Sequence, residues 1–101
     1  MGAQTYILYS AAIDSFYIGS TQDMEQRFNK HITGFYPNGF TSKAKDWVIF
    51  MRIDCETMAQ ARSIEAHIKR MKSRKYLHDL KQYPEIAENL VNLYKQRDHP
   101  R

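Results

Sequence analysis

The period of the hydrophobic pattern changes several times along the chain, and each change marks an element. Thr5-Tyr6-Ile7-Leu8-Tyr9-Ser10 and Ser15-Phe16-Tyr17-Ile18-Gly19 are rich in aromatic and β-branched residues and flank a short segment holding Asp14, which predicts a β-hairpin. Residues 20–23 then offer helix N-caps, and Met24, Phe28, Ile32 and Phe35 recur at helical spacing until Gly34 weakens the pattern. A helix over about 23–33 follows. Residues 34–46 carry turn chemistry in Pro37-Asn38-Gly39 and basic charge in Lys43 and Lys45, so this stretch reads as an exposed loop.

Trp47-Val48-Ile49-Phe50-Met51-Arg52-Ile53-Asp54 is a continuous apolar run that becomes alternating at its end, the pattern of a third strand buried on much of both faces. Thr57 can cap a helix to about residue 72 with apolar positions Met58, Ala61, Ile64, Ile68 and Met71. A short helix is expected over 73–81. Pro84 suits a first helical position, and Ile86, Leu90, Leu93 and Tyr94 place an amphipathic helix at about 84–97, beyond a core at about 4–82. The order strand, strand, helix, strand, helices predicts one α+β domain over 1–101, a small, mainly antiparallel three-stranded sheet flanked by helices.

With 101 residues, 43% of them hydrophobic and 13% aromatic, the chain can bury a core. Its net charge of +4 favours a polyanionic partner only mildly. Cys55 is the sole cysteine, which excludes an intrachain disulfide and a Cys-x-x-Cys site and favours a reducing compartment. Neither a secretory h-region nor a membrane-length apolar stretch is visible. The expectation is a cytoplasmic protein with no membrane contact; the oligomeric state is not legible.

Several polar residues do not follow the core pattern. Projected at about 100° per residue, Glu65 falls among Ala61, Ile64 and Ile68. A carboxylate there needs an ion-pair partner, hydrogen bonds or a bound cation, so a structural salt bridge and a metal ligand both fit. Arg27 and His31 lie one turn apart beside Met24 and Phe28, where solvated cations and a functional pair are both open readings. Tyr6 and Tyr9 differ by an odd number and so face opposite sides of a regular strand. Tyr17 and Tyr36 lie nearby in sequence. His67, His78 and His99 have no zinc-site spacing.

Taken together, Tyr6 in Thr5-Tyr6-Ile7, then Tyr17-Ile18-Gly19, Arg27 and His31 in Arg27-Phe28-Asn29-Lys30-His31, and Glu65 in Ala61-Arg62-Ser63-Ile64-Glu65 resemble the GIY-YIG nuclease superfamily. More narrowly, Tyr6-Ile7-Leu8-Tyr9-Ser10 and Thr41-Ser42-Lys43-x-Lys45-Asp46-Trp47 are similar to short stand-alone bacterial members described as excinuclease-subunit-C-like. Gln4-Thr5-Tyr6 stands where the family name expects Gly-Ile-Tyr. The Asn that longer members carry beyond the Glu helix is not assignable between Asn89 and Asn92.

The resemblance implies a GIY-YIG fold and a divalent-metal-dependent DNA endonuclease of DNA repair or processing. It assigns catalysis to Tyr6, Tyr17, Arg27, His31 and Glu65, with Glu65 holding one Mg²⁺ or Mn²⁺ ion and Arg27 clamping the scissile phosphate. Tyr6 or Tyr17 would receive the proton of the attacking water. Gly19 would allow close backbone approach, and DNA would meet Lys43, Lys45, Lys69, Arg70, Lys72, Arg74 and Lys75, which supply salt-dependent affinity rather than sequence readout. Targeting would come from structured or damaged DNA, or from a partner protein. A nucleic-acid-binding module that keeps the fold without cleaving is the alternative, and a protein-interaction scaffold a third reading.

Overall fold

The computed structural model describes residues 2–33 and 39–95. β1 (Gln4–Ser10) and β2 (Ser15–Thr21) form the expected hairpin, followed by α1 (Met24–Ile32), a 3₁₀ turn (Phe40–Lys43), β3 (Val48–Asp54), α2 (Met58–Met71), α3 (Arg74–Gln82) and α4 (Pro84–Leu93). The sheet is antiparallel throughout, in the order β2-β1-β3. β1 therefore has a partner on each side, and side chains on its two faces serve different layers. Ile7 packs with Ile53, Ile64, Ile68, Leu77, Leu80 and Leu90 beneath α2, α3 and α4. Tyr6 and Leu8 pack with Met24 and Trp47 on the other face. An α+β architecture with helices covering a three-stranded sheet is the fold the hydrophobic pattern predicts.

The local chemistry accounts for the helix boundaries. Asp23, Thr57 and Ser73 accept hydrogen bonds from the backbone N–H groups of Gln26, Gln60 and Tyr76 at 3.1 Å each, and each such cap contributes about 1 kcal/mol. Lys72 ends α2 in the left-handed region at φ 48°, so that Ser73 can start α3 at once. Pro84 opens α4 at a position where its missing N–H costs no helix bond.

Three expectations change. The apolar run at 48–54 is an edge strand rather than one buried on both faces: Val48 is 55% and Ile49 37% exposed. The register slips between Ile7 and Leu8, which pair with Met51 and Ile49, leaving Phe50 as the extra residue of a bulge. The bulge breaks the alternation that would have marked one wet face. Within the described part of 34–46, the segment is not simply an exposed loop, because Thr41 is buried on the 3₁₀ turn; residues 34–38, Tyr36 among them, lie outside the described residues. At the chain end, α4 stops at Leu93, which is exposed, short of the expected 97.

Candidate active site

Tyr6 is completely buried and pairs directly across the hairpin with Gly19. A Cβ built on Gly19 would lie 2.5 Å from the Tyr6 Oη and 2.6 Å from its Cζ. The phenol ring therefore lies across β2, an edge strand, and a hydrogen at position 19 is what makes room for it. The close approach that Gly19 permits is made by Tyr6.

Across that ring stands α1, whose Asp23 cap fixes the phase that turns Arg27 and His31 toward the sheet. His31 is 4% exposed. Its Nε2 lies 3.0 Å from Tyr6 Oη and its Nδ1 2.7 Å from Thr41 Oγ1. The 3₁₀ turn is held in turn by Trp47, whose Nε1 donates to the Thr41 carbonyl at 2.8 Å. The Tyr17 ring completes the cluster, with centroids 5.0 Å from His31 and 6.3 Å from Tyr6.

The electrostatics follow from this packing. Burial, and then the Arg27 charge, lower the His31 pKa from 6.5 to about 4, so the imidazole is neutral at physiological pH with one nitrogen donating and the other accepting. Burial raises the Tyr6 hydroxyl well above its ordinary range; Tyr17 adds to the rise, Arg27 opposes it by charge and hydrogen bonding, and Glu65 adds a smaller push upward. Tyr6 holds its proton, then, and its hydroxyl feels all three of these groups.

Glu65 arrives from the opposite layer. It lies on the α2 face that packs along β2, and Ser20, the residue after Gly19, donates its hydroxyl to Oε1 at 2.7 Å. Lys69, one helical turn on, pairs with Oε2 at 2.7 Å, and the carboxylate side chain remains 20% exposed. Glu65 is thus at the margin of the apolar arc, with the ion pair that one reading of its position required. Tyr6, Tyr17, Arg27 and His31 cluster on one face of β2, and Glu65, bonded to Ser20 on the other face, is near enough for its charge to act on the Tyr6 hydroxyl. A concavity of about 180 Å³ lined by Tyr17, Arg27, His31, Gly39, Phe40 and Thr41 opens that part of the cluster to solvent, while Tyr6 and Glu65 do not line it. This is below the usual range for drug-sized ligands and suits a group the size of a phosphate. Larger concavities beside Arg52 and Asn92, and beside Asp14 and Arg74, include none of the five residues.

The basic residues scatter. Lys43 lies over the Phe40 ring at 4.7 Å, beside the concavity, and Lys45 is exposed on the same connection. Lys69 is committed to Glu65. Arg70 approaches the Tyr94 hydroxyl at 3.4 Å, and Lys72 is exposed. Arg74 binds Asp14 at the hairpin turn through both carboxylate oxygens and the carbonyl, and Lys75 pairs with Asp79. Ser20, Phe40 and Thr41 join the site although the pattern gave them no role. Ser20 alternates onto the α2 face of β2, a signal present in the strand register; Thr41 opens the segment of resemblance to Trp47 but carried no role there, and nothing local in the sequence marks Phe40.

No match exists among curated proteins or among solved structures. The sequence profile described as the GIY-YIG catalytic domain matches residues 3–77, a span that holds β1 through the start of α3 and all five clustered residues. On that match, and with the antiparallel sheet and helices described above, the chain belongs to the GIY-YIG family of catalytic domains, a nuclease family.

Proposed function

We propose that the chain is a divalent-metal-dependent DNA endonuclease that hydrolyses a phosphodiester bond in DNA repair or processing, of the excinuclease-subunit-C-like kind. The observation that carries this reading is the cluster of Tyr6, Tyr17, Arg27 and His31 beside a solvent-open concavity, with Glu65 close enough across β2 for its charge to reach Tyr6. The narrower subtype rests on the resemblance of the segment from Thr41 to Trp47, in which Thr41 bonds His31 and Trp47 holds the Thr41 carbonyl.

GIY-YIG nucleases typically use a divalent metal ion. Glu65 fits a hard ion that keeps most of its waters: its oxygens are ordered by Ser20 and partly open to solvent, and no group of three His, Cys, Asp or Glu forms a closed cage among the described residues. Glu65 would hold Mg²⁺ or Mn²⁺, whose charge would neutralise the phosphoryl oxygens and the departing 3′-oxygen. Arg27, in the concavity, clamps the phosphate through its planar fork. In this reading Tyr6 donates its proton to Nε2 of neutral His31, while the His31 Nδ1–H donates to Thr41. The phenol oxygen would take the proton of the attacking water as its own proton passes to Nε2, leaving His31 as an imidazolium whose charge the bound phosphate offsets, so that no free tyrosinate is formed. Tyr17 orients the water or the phosphate beside it.

One observation favours the binding module instead, because the Lys69 ammonium already neutralises Glu65. The two readings separate on phenol chemistry. Tyr6→Phe keeps the ring over Gly19 but removes the relay oxygen, and should slow plasmid nicking by about 10²–10³ while DNA affinity stays within about twofold. Equal nicking by Tyr6→Phe and the parent would remove Tyr6 from the chemistry.

A further inference from the structure

The large exposed apolar side chains among the described residues are Phe40, Val48, Ile49, Met71, Tyr83 and Leu93, and of these Phe40 lines the concavity that holds Arg27. Its setting is unlike that of a side chain left over from packing. Phe40 begins the 3₁₀ turn whose next residue, Thr41, is 2% exposed and fastened by His31 and Trp47, yet Phe40 itself is 39% exposed. Its ring lies nearly parallel to that of Tyr17, 17° apart with centroids at 6.2 Å, and it tilts against Trp47 at 6.0 Å. Two aromatic rings thus brace Phe40, and the ammonium of Lys43, at the end of an exposed side chain, lies over the ring at 4.7 Å from its centroid.

A partly open aromatic ring braced by two others, with an exposed lysine ammonium over it and beside an arginine that lines the same concavity, is an arrangement that can receive a nucleobase with its phosphate. We propose that Phe40 is a stacking platform for an unpaired nucleobase next to the phosphate held at Arg27, so that DNA with an unpaired nucleotide is bound in preference to continuous duplex. The proposal rests on the nuclease reading of the same site and narrows its substrate. The reason for an unpaired base is geometric. Inside a duplex both faces of each base are covered by neighbouring pairs, so a protein ring reaches a base face only where the base has left the stack or ends it. Lys43 has a part in the same exchange: its ammonium moves from the ring to a backbone oxygen as the base takes its place, so ring and charge are both used.

The test is competition binding to fluorescein-labelled 20-mers, read by anisotropy, with metal-free protein in EDTA so that cleavage does not enter. One duplex is continuous and the other carries a single unpaired adenine. The parent should bind the bulged duplex about tenfold more tightly, the order expected of one aromatic stack. Phe40→Leu, which keeps an apolar side chain without a π face, should bring the ratio close to one, and Phe40→Trp should restore it. Circular dichroism checks that both variants are folded. A parent ratio near one would overturn the platform, as would a ratio that Phe40→Leu leaves intact or that Phe40→Trp fails to restore. Plasmid nicking run in parallel separates the two ideas. Glu65-dependent nicking without the bulge preference sinks the platform alone, whereas the preference without nicking on any DNA sinks the nuclease reading alone.

Discussion

At the scale of single residues, the site depends on two accommodations, and each makes a measurable prediction. Gly19 lies under a ring that is fully buried and hydrogen-bonded to His31, so Tyr6 cannot swing aside to admit a methyl group. Gly19→Ala should cost about 1–3 kcal/mol, the usual range for overpacking, measured as a lower urea midpoint at constant slope; unchanged stability would mean that the ring has another place to go. His31 makes the second prediction. Its folded pKa, about 4, lies below the ordinary 6.5, so between these values the unfolded chain binds a proton that the folded chain refuses. Stability is therefore full above about pH 6.5 and falls as the pH drops toward 4, by about 2 kcal/mol between pH 7 and 5. His31→Gln should flatten that decline. The low pKa of Asp14, caused first by Arg74, acts in a lower window, below 3.8, and does not confuse the comparison. Tyr6, Tyr17, Arg27, His31 and Glu65 could be picked out beforehand only through their joint resemblance to the GIY-YIG pattern, since periodicity alone left Arg27, His31 and Glu65 open to solvated or ion-paired roles. The partners that tune them could not: Thr41 and Ser20 are ordinary residues until the fold sets them against His31 and Glu65.

At the scale of elements, local signals were reliable wherever the chemistry is local. Asp23, Thr57, Ser73 and Pro84 each mark a helix start that their own side chains or rings enforce. β3 was harder to read, since its apolar run reflects a bulge and an edge position, both properties of its pairing with β1 rather than of its own sequence. Charge on α3 was equally ambiguous. Arg74 looks like a DNA contact in the sequence, but the fold gives it to Asp14, a residue at φ 49° in the hairpin turn, so that the ion pair ties hairpin to helix. Both side chains are more than half exposed, so solvent screens the pair and it contributes little to stability. Arg74→Ala should accordingly leave the urea midpoint nearly unchanged and the salt dependence of DNA binding unaltered, whereas Lys45→Ala should reduce the slope by about one. A slope reduced equally by both substitutions would return Arg74 to the DNA surface.

At the scale of the whole molecule, the arrangement places two layers on one thin sheet and uses an outer edge of that sheet as the meeting line. Tyr6 from the middle strand and Arg27 with His31 from α1 come from one face, while Glu65 from α2 comes from the other. Neither layer alone holds the set, which explains why the sequence spreads these residues from position 6 to position 65. The α+β class was legible because the period changes are sharp; the convergence at β2 was not, because it depends on strand order and on a glycine opposite a tyrosine. No helix among the described residues is long and apolar enough to cross a membrane, and a net charge of +4 accords with a polyanionic substrate without naming it. Glu65 is the residue on which metal-dependent cleavage depends in the proposed reaction. Supercoiled plasmid should be nicked by the parent with Mg²⁺ or Mn²⁺ and not in EDTA, and Glu65→Gln, which keeps the shape and the Ser20 contact but not the charge, should nick about 10²–10³ more slowly while binding the same DNA at least as well. Equal nicking by parent and Glu65→Gln, or no nicking of plasmid, flap or branched DNA by the parent with either ion, would contradict it.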